Sequence, residues 1–379
     1  MYDGGIVNLD VNLTEGKATF VTGSAFYRSH SQTSRDLGVL AAAVYRSKIG
    51  RLRVLDTMTG CGLRSLRYAL EAGADLVWAN DADPEIQGVL RENLNALEDP
   101  HQVRITQLSA NQIFWRCAID GDYYDLLDID SFGNPGALLA SCLQAVCDGG
   151  LIYLTSTDGR TISGHFPQDS LRLYGTYTRA HPCVQEHALR MLIGSLSQQA
   201  AMQGFTVMPI FSLYSGQIYR VMARVTHKTP NLEKNYGFVG YCPQCGDYAV
   251  PSWRYLSRTS CPHHHDKPVA MTLAGPLWTG VLHDRDYVQA MIDRSADLEL
   301  THQIPLLEIF RDESDLPPYH YPLGEVGRRG KMDIPKRDRL IQALIDLGYR
   351  ATVTHLSDAA IKTDAPLGIV VETGRFSST

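Results

Sequence analysis

The stretch "LRVLDTMTGCGLRSLRYALEAG", residues 52–73, sets the kind of fold to expect. Leu52 to Met58 is a short apolar run of strand type with Asp56 near its end. The chain then turns through Gly60 and Gly62, and apolar residues recur at helical spacing from Leu63. Strand, glycine turn and helix in that order form the first half of a crossover unit that returns the chain to start a parallel strand. Glycines let backbone pass close to a ligand, and the free N–H groups at a helix start favour an anion or a carboxylate.

The alternation continues outward from this unit. Strand-like runs follow at 76–81, 103–108, 123–130 and 151–157, with the helical pattern "PEIQGVLRENLNAL" after the second strand. A long helix is expected over 184–202, and then "FTVMPIFSLYSGQIYRVMARVTH" brings two strand-like runs together at Ser215-Gly216, a hairpin signal. The expected fold is α/β: a Rossmann-like doubly wound sheet closed by a terminal hairpin. That ending is more typical of class I methyltransferases than of dehydrogenases, whose fingerprint places a third glycine where Ser65 stands.

With 379 residues the chain exceeds what one core readily organises, so more than one domain is expected. Composition shifts toward Pro, His, Cys and Tyr past about residue 228, which divides a catalytic domain, 1–227, from a C-terminal α+β domain, 228–379. A net charge of −6 argues against indiscriminate coating of nucleic acid but allows a local basic surface such as "GRRGKMDIPKRDR", 327–339. No apolar run is long enough to span a bilayer, and "MYDGGIVNLD" lacks the regions of a signal peptide, so a cytoplasmic protein is expected. Eight cysteines in a reducing compartment are thiols, and a cluster of them reads as a metal site first.

Asp56, Gly60 and Gly62 frame a cofactor loop. Asp81, at the end of the second strand, can accept both hydroxyl hydrogens of a ribose; the competing reading makes it a helix cap ahead of Pro84. In "LLDIDSFGNPG", 126–136, the fourth strand delivers Asp130 and Phe132 to the end of the sheet where such folds bind ligands. With S-adenosyl-L-methionine as methyl source, Asp130 suits the N–H of a flat amine and Phe132 suits its ring face. The competing structural reading makes Asp130 a cap and Phe132 core filling.

"YCPQCGDYAVPSWRYLSRTSCPHHH" has two cysteines two residues apart, then Cys261 and a histidine at the same gap. Cys242, Cys245, Cys261 and His264 form a closed structural zinc knuckle within 240–267, with His263 and His265 as alternative nitrogens. Trp253 and Tyr255 read as its packing.

These motifs together resemble the tRNA (guanine-N2-)-dimethyltransferases, which methylate guanine 26 of tRNA, and the likeness runs along nearly the whole chain. It rests on "EGKATF", "AFY" and "SRDLGV" near the start, the glycine loop, "ANDADPE", "LSANQIF" and "DIDSFGNPG". It extends to "GPLWTGVLHD", "LPPYHY" and "RATVTHLSDAAIKTDAP". The resemblance implies that Arg35 and Arg64 contact the cofactor, that Ser109 and Ala110 flank its adenine, and that Asp130 is the catalytic acid with Phe132 as stacking ring. It further implies a C-terminal domain holding tRNA, with Arg328, Arg329, Lys331, Lys336, Arg337 and Arg339 on its phosphates. No obligate protein partner is expected. Ser131 stands where the family has Pro, implying a looser turn, Ser109 where it commonly has Asp, and "FYRS" where it has F-Y-N-P. The alternatives are a methyltransferase acting on another RNA, a protein or a small amine, and a zinc-containing RNA-binding protein whose methylase site has decayed.

Overall fold

A computed structural model of the chain describes residues 12–97, 99–228, 231–264 and 266–377. The first ten residues, read above for a leader, and His265 lie outside them.

Five strands carry the parallel pattern: β1 (Arg53–Asp56), β2 (Leu76–Asn80), β3 (Val103–Thr106), β4 (Tyr124–Ile129) and β5 (Val146–Ser156). The hairpin strands are β6 (Thr206–Ser215) and β7 (Ile218–Thr226), joined by a two-residue turn whose Gly216 has φ +62°. The sheet order is β3-β2-β1-β4-β5-β7-β6. Order reverses between β1 and β4, and ligands bind at such a reversal because the connections leave the two strand ends in opposite directions and open a crevice. The parallel register pairs Val54 with Leu126, Leu55 with Leu127 and Asp56 with Asp128, which brings two acids side by side at the end of this pair. Val54, Leu55, Leu126 and Leu127 are fully buried, as strands covered on both faces must be.

By contacts the chain divides into two compact units. One comprises 1–155, 224–226 and 290–304; the other comprises 156–223, 227–289 and 305–379. This division differs from a boundary at 228 because it follows proximity in space, whereas 228 marks a change of composition. Within the second unit the helix Val184–Met202 has the bounds its periodicity predicts. The same unit holds two three-stranded sheets. In one, Tyr236–Tyr241 lies between Tyr248–Ala249 and Thr272–Trp278; in the other, Ala360–Thr363 lies between Tyr321–Pro322 and Ala351–Thr352. Val326, Leu340, Leu344, Ile361, Leu367 and Val370 build its core under helices Leu323–Gly330, Arg337–Asp346 and Leu367–Ser377, an α+β arrangement. Among the described residues no helix is long and apolar enough to cross a membrane.

Candidate active site and metal centre

The glycine loop is fastened from below. Asp56 is wholly buried, and its Oδ2 accepts the hydroxyls of Thr59 (2.6 Å) and Ser65 (2.8 Å). Burial, and then the neighbouring Asp128, pushes its carboxyl well above the ordinary carboxylate range. Asp56 therefore holds the loop's shape from beneath. Asn80 spans the strand ends, donating to the carbonyls of Thr57 (2.9 Å) and Leu108 (2.8 Å). Asn93 clamps the loop to the N-terminal segment by donating to Cys61 O (2.7 Å) and Val21 O (2.8 Å) and accepting from Val21 N–H (2.9 Å). Neither asparagine carries a local sequence signal, since their partners lie 23 to 72 residues away.

Gly60 and Gly62 both adopt left-handed backbone, at φ +58° and +88°, but for different surroundings. A Cβ on Gly62 would lie 2.8 Å from Leu90 Cδ1, whereas one on Gly60 would meet only the Ala25 Cβ at 4.0 Å. The loop is packed on its inner side and open above Gly60. The Gly60 N–H donates to Asp81 Oδ2 (2.9 Å), and Asp81 Oδ1 accepts from Asp83 N–H (3.0 Å). The helix cap ahead of Pro84 is Asp83, which accepts from Glu85 N–H (2.9 Å). Asp81 is half-buried and its carboxylate has lone pairs beyond these two bonds, so it can still accept hydroxyls. This open loop with its carboxylate fits a ribose-bearing cofactor.

At the end of β4, Asp130 is 32 % exposed and Phe132 stands 77 % exposed, so the ring does not fill core as the competing structural reading has it. Phe132 meets Phe26, itself 61 % exposed, edge-on at 5.4 Å between centroids, and Arg28 lies over Phe26 at 4.6 Å. Two solvent-facing rings beside an acid make a slot for a flat polar group. Phe26 lies within the quoted "AFY", and only proximity to Phe132 marks it as part of the site. Ser131 tightens the turn: its hydroxyl donates to Thr155 O on β5 at 3.0 Å. The looser turn expected from the missing Pro is offset by this bond.

Arg64 is nearly buried. Its Nε and Nη2 both lie 3.1 Å from Asp130 Oδ2, while Nη1 lies 3.5 Å from Asp128 Oδ2. Burial opposes its charge, but Asp128 and Asp130 outweigh that and hold the guanidinium above its usual range. Arg35 is committed elsewhere: it forms a two-pronged pair with Glu15, which also takes Arg67. Ser109 and Gln112 form a reciprocal capping box that starts the helix Ala110–Asp120, and Ser109 remains exposed. The structure thus brings Gly60, Gly62, Arg64, Asp81, Asp130 and Phe132 to one end of the sheet, with Ser109 and Ala110 at the start of the helix after β3.

Cys242, Cys245, Cys261 and His264 gather with their donor atoms within 4.8 Å of one another. The sulfurs of Cys245 and Cys261 are 3.4 Å apart, close to the edge of about 3.8 Å that a tetrahedral zinc–thiolate site requires. His264 Nε2 is buried with no hydrogen-bond partner, a state that a cation would relieve. His263 is instead 3.2 Å from Asp247 through Nδ1 and 4.0 Å from Cys245. Three sulfurs and one nitrogen leave no open position, so the chemistry of this set is structural. Trp253 packs edge-on against Phe238 and donates to Tyr236 O (2.7 Å), whereas Tyr255 is 62 % exposed and does not pack the knuckle as expected.

The six basic residues of the C-terminal region separate into two kinds. Arg329 is 11 % exposed and braces the knuckle, donating to Gln244 O (3.0 Å) and the Tyr241 hydroxyl (2.9 Å). A Cβ on Gly246, at φ +88°, would fall 2.2 Å from its guanidinium carbon. Its donors are taken up inside the fold. Arg337 is tied to Asp338 and Asp358 O, and Arg328, although exposed, pairs with Glu325. Lys331, Lys336 and Arg339 are exposed.

Residues 8–375 match the family model described as "N2,N2-dimethylguanosine tRNA methyltransferase". The chain is 31 % identical over 363 residues to a tRNA (guanine(26)-N(2))-dimethyltransferase of Thermococcus kodakarensis, covering 92 % of each. A human protein of the same name is 28 % identical, covering 83 % of this chain and 51 % of that one. Among solved structures, Trm1 from Pyrococcus horikoshii with S-adenosyl-L-methionine superposes with a TM-score of 0.83 at 26 % identity, over 96 % of this chain and 99 % of that one. A match over almost the full length, on the fold and site described above, places this chain in the N2,N2-dimethylguanosine tRNA methyltransferase family.

Proposed function

We infer that this protein transfers methyl groups from S-adenosyl-L-methionine to the exocyclic N2 of guanine 26 in tRNA, giving N2-methylguanosine and then N2,N2-dimethylguanosine. The observation that carries the reading at residue level is the juxtaposition of Asp130, Arg64 and the exposed ring of Phe132 beside the glycine loop. S-adenosyl-L-methionine supplies an electrophilic methyl on a sulfonium, so the protein must provide position and a proton acceptor. Phe132 and Phe26 receive the extruded base between their faces and edges. Asp130 accepts a hydrogen bond from the N2 amine and turns its lone pair out of conjugation. As the nitrogen–carbon bond forms, the carbon–sulfur bond breaks with its pair left on sulfur, and the displaced N–H proton passes to the Asp130 carboxylate. One N–H remains after the first transfer, so the same step repeats.

Gly60, Gly62 and Asp81 hold the nucleoside part of the cofactor, with Ser109 and Ala110 beside the adenine. Arg35, spent on Glu15, supports the N-terminal segment that carries Phe26. Zinc on Cys242, Cys245, Cys261 and His264 stabilises the knuckle. Residues 1–227 act as the catalytic domain and 228–379 as the tRNA-holding domain, with Lys331, Lys336 and Arg339 on phosphates and Arg328 reaching one by leaving Glu325. A cytoplasmic location belongs to the same reading and is supported by eight cysteines free of disulfides. The test is nucleoside mass spectrometry of unmodified tRNA incubated with enzyme and cofactor. The wild type should add 14 and then 28 mass units, roughly one and two methylenes per guanosine, at a single site. Asp130→Asn should bind cofactor and fail to transfer; normal methylation by that variant would remove Asp130 from its role.

A further inference from the structure

Three features of the Asp130 environment go beyond the roles given so far. First, Arg64 presents two donors, Nε and Nη2, to a single oxygen of Asp130, so the guanidinium meets this carboxylate edge-on. Second, the far nitrogen of the same guanidinium faces Asp128, whose side chain is fully buried. Third, the Tyr68 hydroxyl donates to that same Asp128 oxygen at 2.7 Å, and Tyr68 is itself 1 % exposed. Tyr68 and Arg64 are four apart on the helix Leu63–Leu70, so they project from one face onto the ends of β1 and β4.

We propose that Asp128 and Tyr68 are positioning residues for methyl transfer: together they fix the far end of Arg64, so that its near edge holds the Asp130 carboxylate in the orientation that meets the substrate amine. The proposal rests on the reading of Asp130 as proton acceptor. A guanidinium shared between two carboxylates gives each of them less than its full charge. Without Asp128, Asp130 takes the whole cation and becomes a weaker proton acceptor. Without the Tyr68 hydroxyl, Asp128 draws Arg64 toward itself and loosens its grip on Asp130. Asp56, Arg64, Tyr68, Asp130 and Tyr153 are the titratable groups around Asp128, from β1, the helix, the turn after β4, and β5.

The experiment is single-turnover methylation of tRNA across pH by wild type, Asp128→Asn, Tyr68→Phe and Asp130→Asn, with KM for tRNA measured alongside. Asp128→Asn should lower the rate roughly tenfold and move the acid limb of the profile down by about one pH unit, the effect of removing one partly screened neighbouring charge. Tyr68→Phe should lower the rate and move the same limb up. Neither should change KM for tRNA by more than about twofold, because neither residue is accessible to substrate. A purely structural role would lower melting temperature and leave both limbs in place. If both variants keep the wild-type profile while Asp130→Asn is inactive, the positioning role is wrong and the catalytic assignment stands. If Asp130→Asn methylates normally, the assignment itself fails. Should Asp128→Asn not fold, the isosteric Tyr68→Phe decides alone.

Discussion

Acidification should weaken the second compact unit well before its carboxylates titrate. His283 is 1 % exposed, accepts from Ser212 N–H through Nδ1 (3.4 Å) and donates through Nε2 to Glu313 (3.1 Å). Both nitrogens are satisfied in the neutral ring, and an added proton on Nδ1 would face a donor. Burial, only partly offset by Glu313, lowers its pKa from 6.5 to about 4; the nearby His355 and Lys362 also disfavour the charge. His187, 3 % exposed and beside His181 at 2.6 Å, is depressed still further by burial. Each group has its full stabilising effect above pH 6.5, where folded and unfolded rings are both neutral. That effect is lost as pH falls, because the unfolded chain binds protons that the folded one refuses. At pH 5.0, 1.5 units below the unfolded value, each ring costs about 2 kcal/mol at 1.36 kcal/mol per unit, so the pair costs about 4 kcal/mol. Glu313, whose pKa is depressed by His355 and His283 against the effect of burial, keeps its contribution in this window and loses it only below about 4.5. Urea titration by circular dichroism at pH 7.5 and 5.0 reads the difference. With a slope near 3 kcal/mol per molar the midpoint should fall by about 1.3 M, and His283→Gln should remove about half of that fall. An equal midpoint at the two pH values, or an undiminished fall in His283→Gln, would refute the reasoning.

The two glycines of the loop should separate experimentally. Gly62→Ala combines left-handed strain with contact on Leu90 and should cost about 2 kcal/mol or more in stability, whereas Gly60→Ala should cost only the strain, about 1 kcal/mol, and weaken cofactor binding measured by calorimetry. Zinc removal, or Cys245→Ser, should melt the knuckle, because among the described residues the buried cluster beneath it is small, Cys242, Cys261 and Met271, and two of the three are metal-ligand candidates. Metal analysis should show one zinc lost per chain, with cofactor affinity within about twofold of wild type. Replacing Lys331, Lys336 and Arg339 together should reduce the salt dependence of tRNA binding by about two to three phosphate equivalents. Arg329→Ala should lower thermal stability more than it changes that slope, since its donors are held by Gln244, Tyr241 and Glu325.

Features that depend on near neighbours in the chain were legible without coordinates. Alternating apolar runs, the glycine turn after Asp56, the hairpin at Ser215-Gly216 and the paired Cys-x-x spacing are all local patterns. The corresponding strands, the helix Val184–Met202 and the four-donor cluster follow them closely. Charged side chains were less legible, because a carboxylate or guanidinium looks the same in sequence whether it meets ligand, solvent or another buried charge. Asp56 ends one parallel strand and Asp81 directly follows another, yet the first is sealed beneath the loop and the second is half-exposed above it.

The order of elements, the end of the sheet that carries the chemistry, and the presence of an acid and a ring at the fourth strand were readable from the residues alone. Those depend on periodicity and turn chemistry within a few residues. Folding brings Arg64 against both Asp130 and Asp128 across 66 and 64 residues, sets Phe26 beside Phe132, and ties Arg329 to the knuckle, none of which local pattern reveals. The physical reason is that the role of a charge or an exposed ring is set by what folding places within a few ångströms of it, and those partners are distant in the chain.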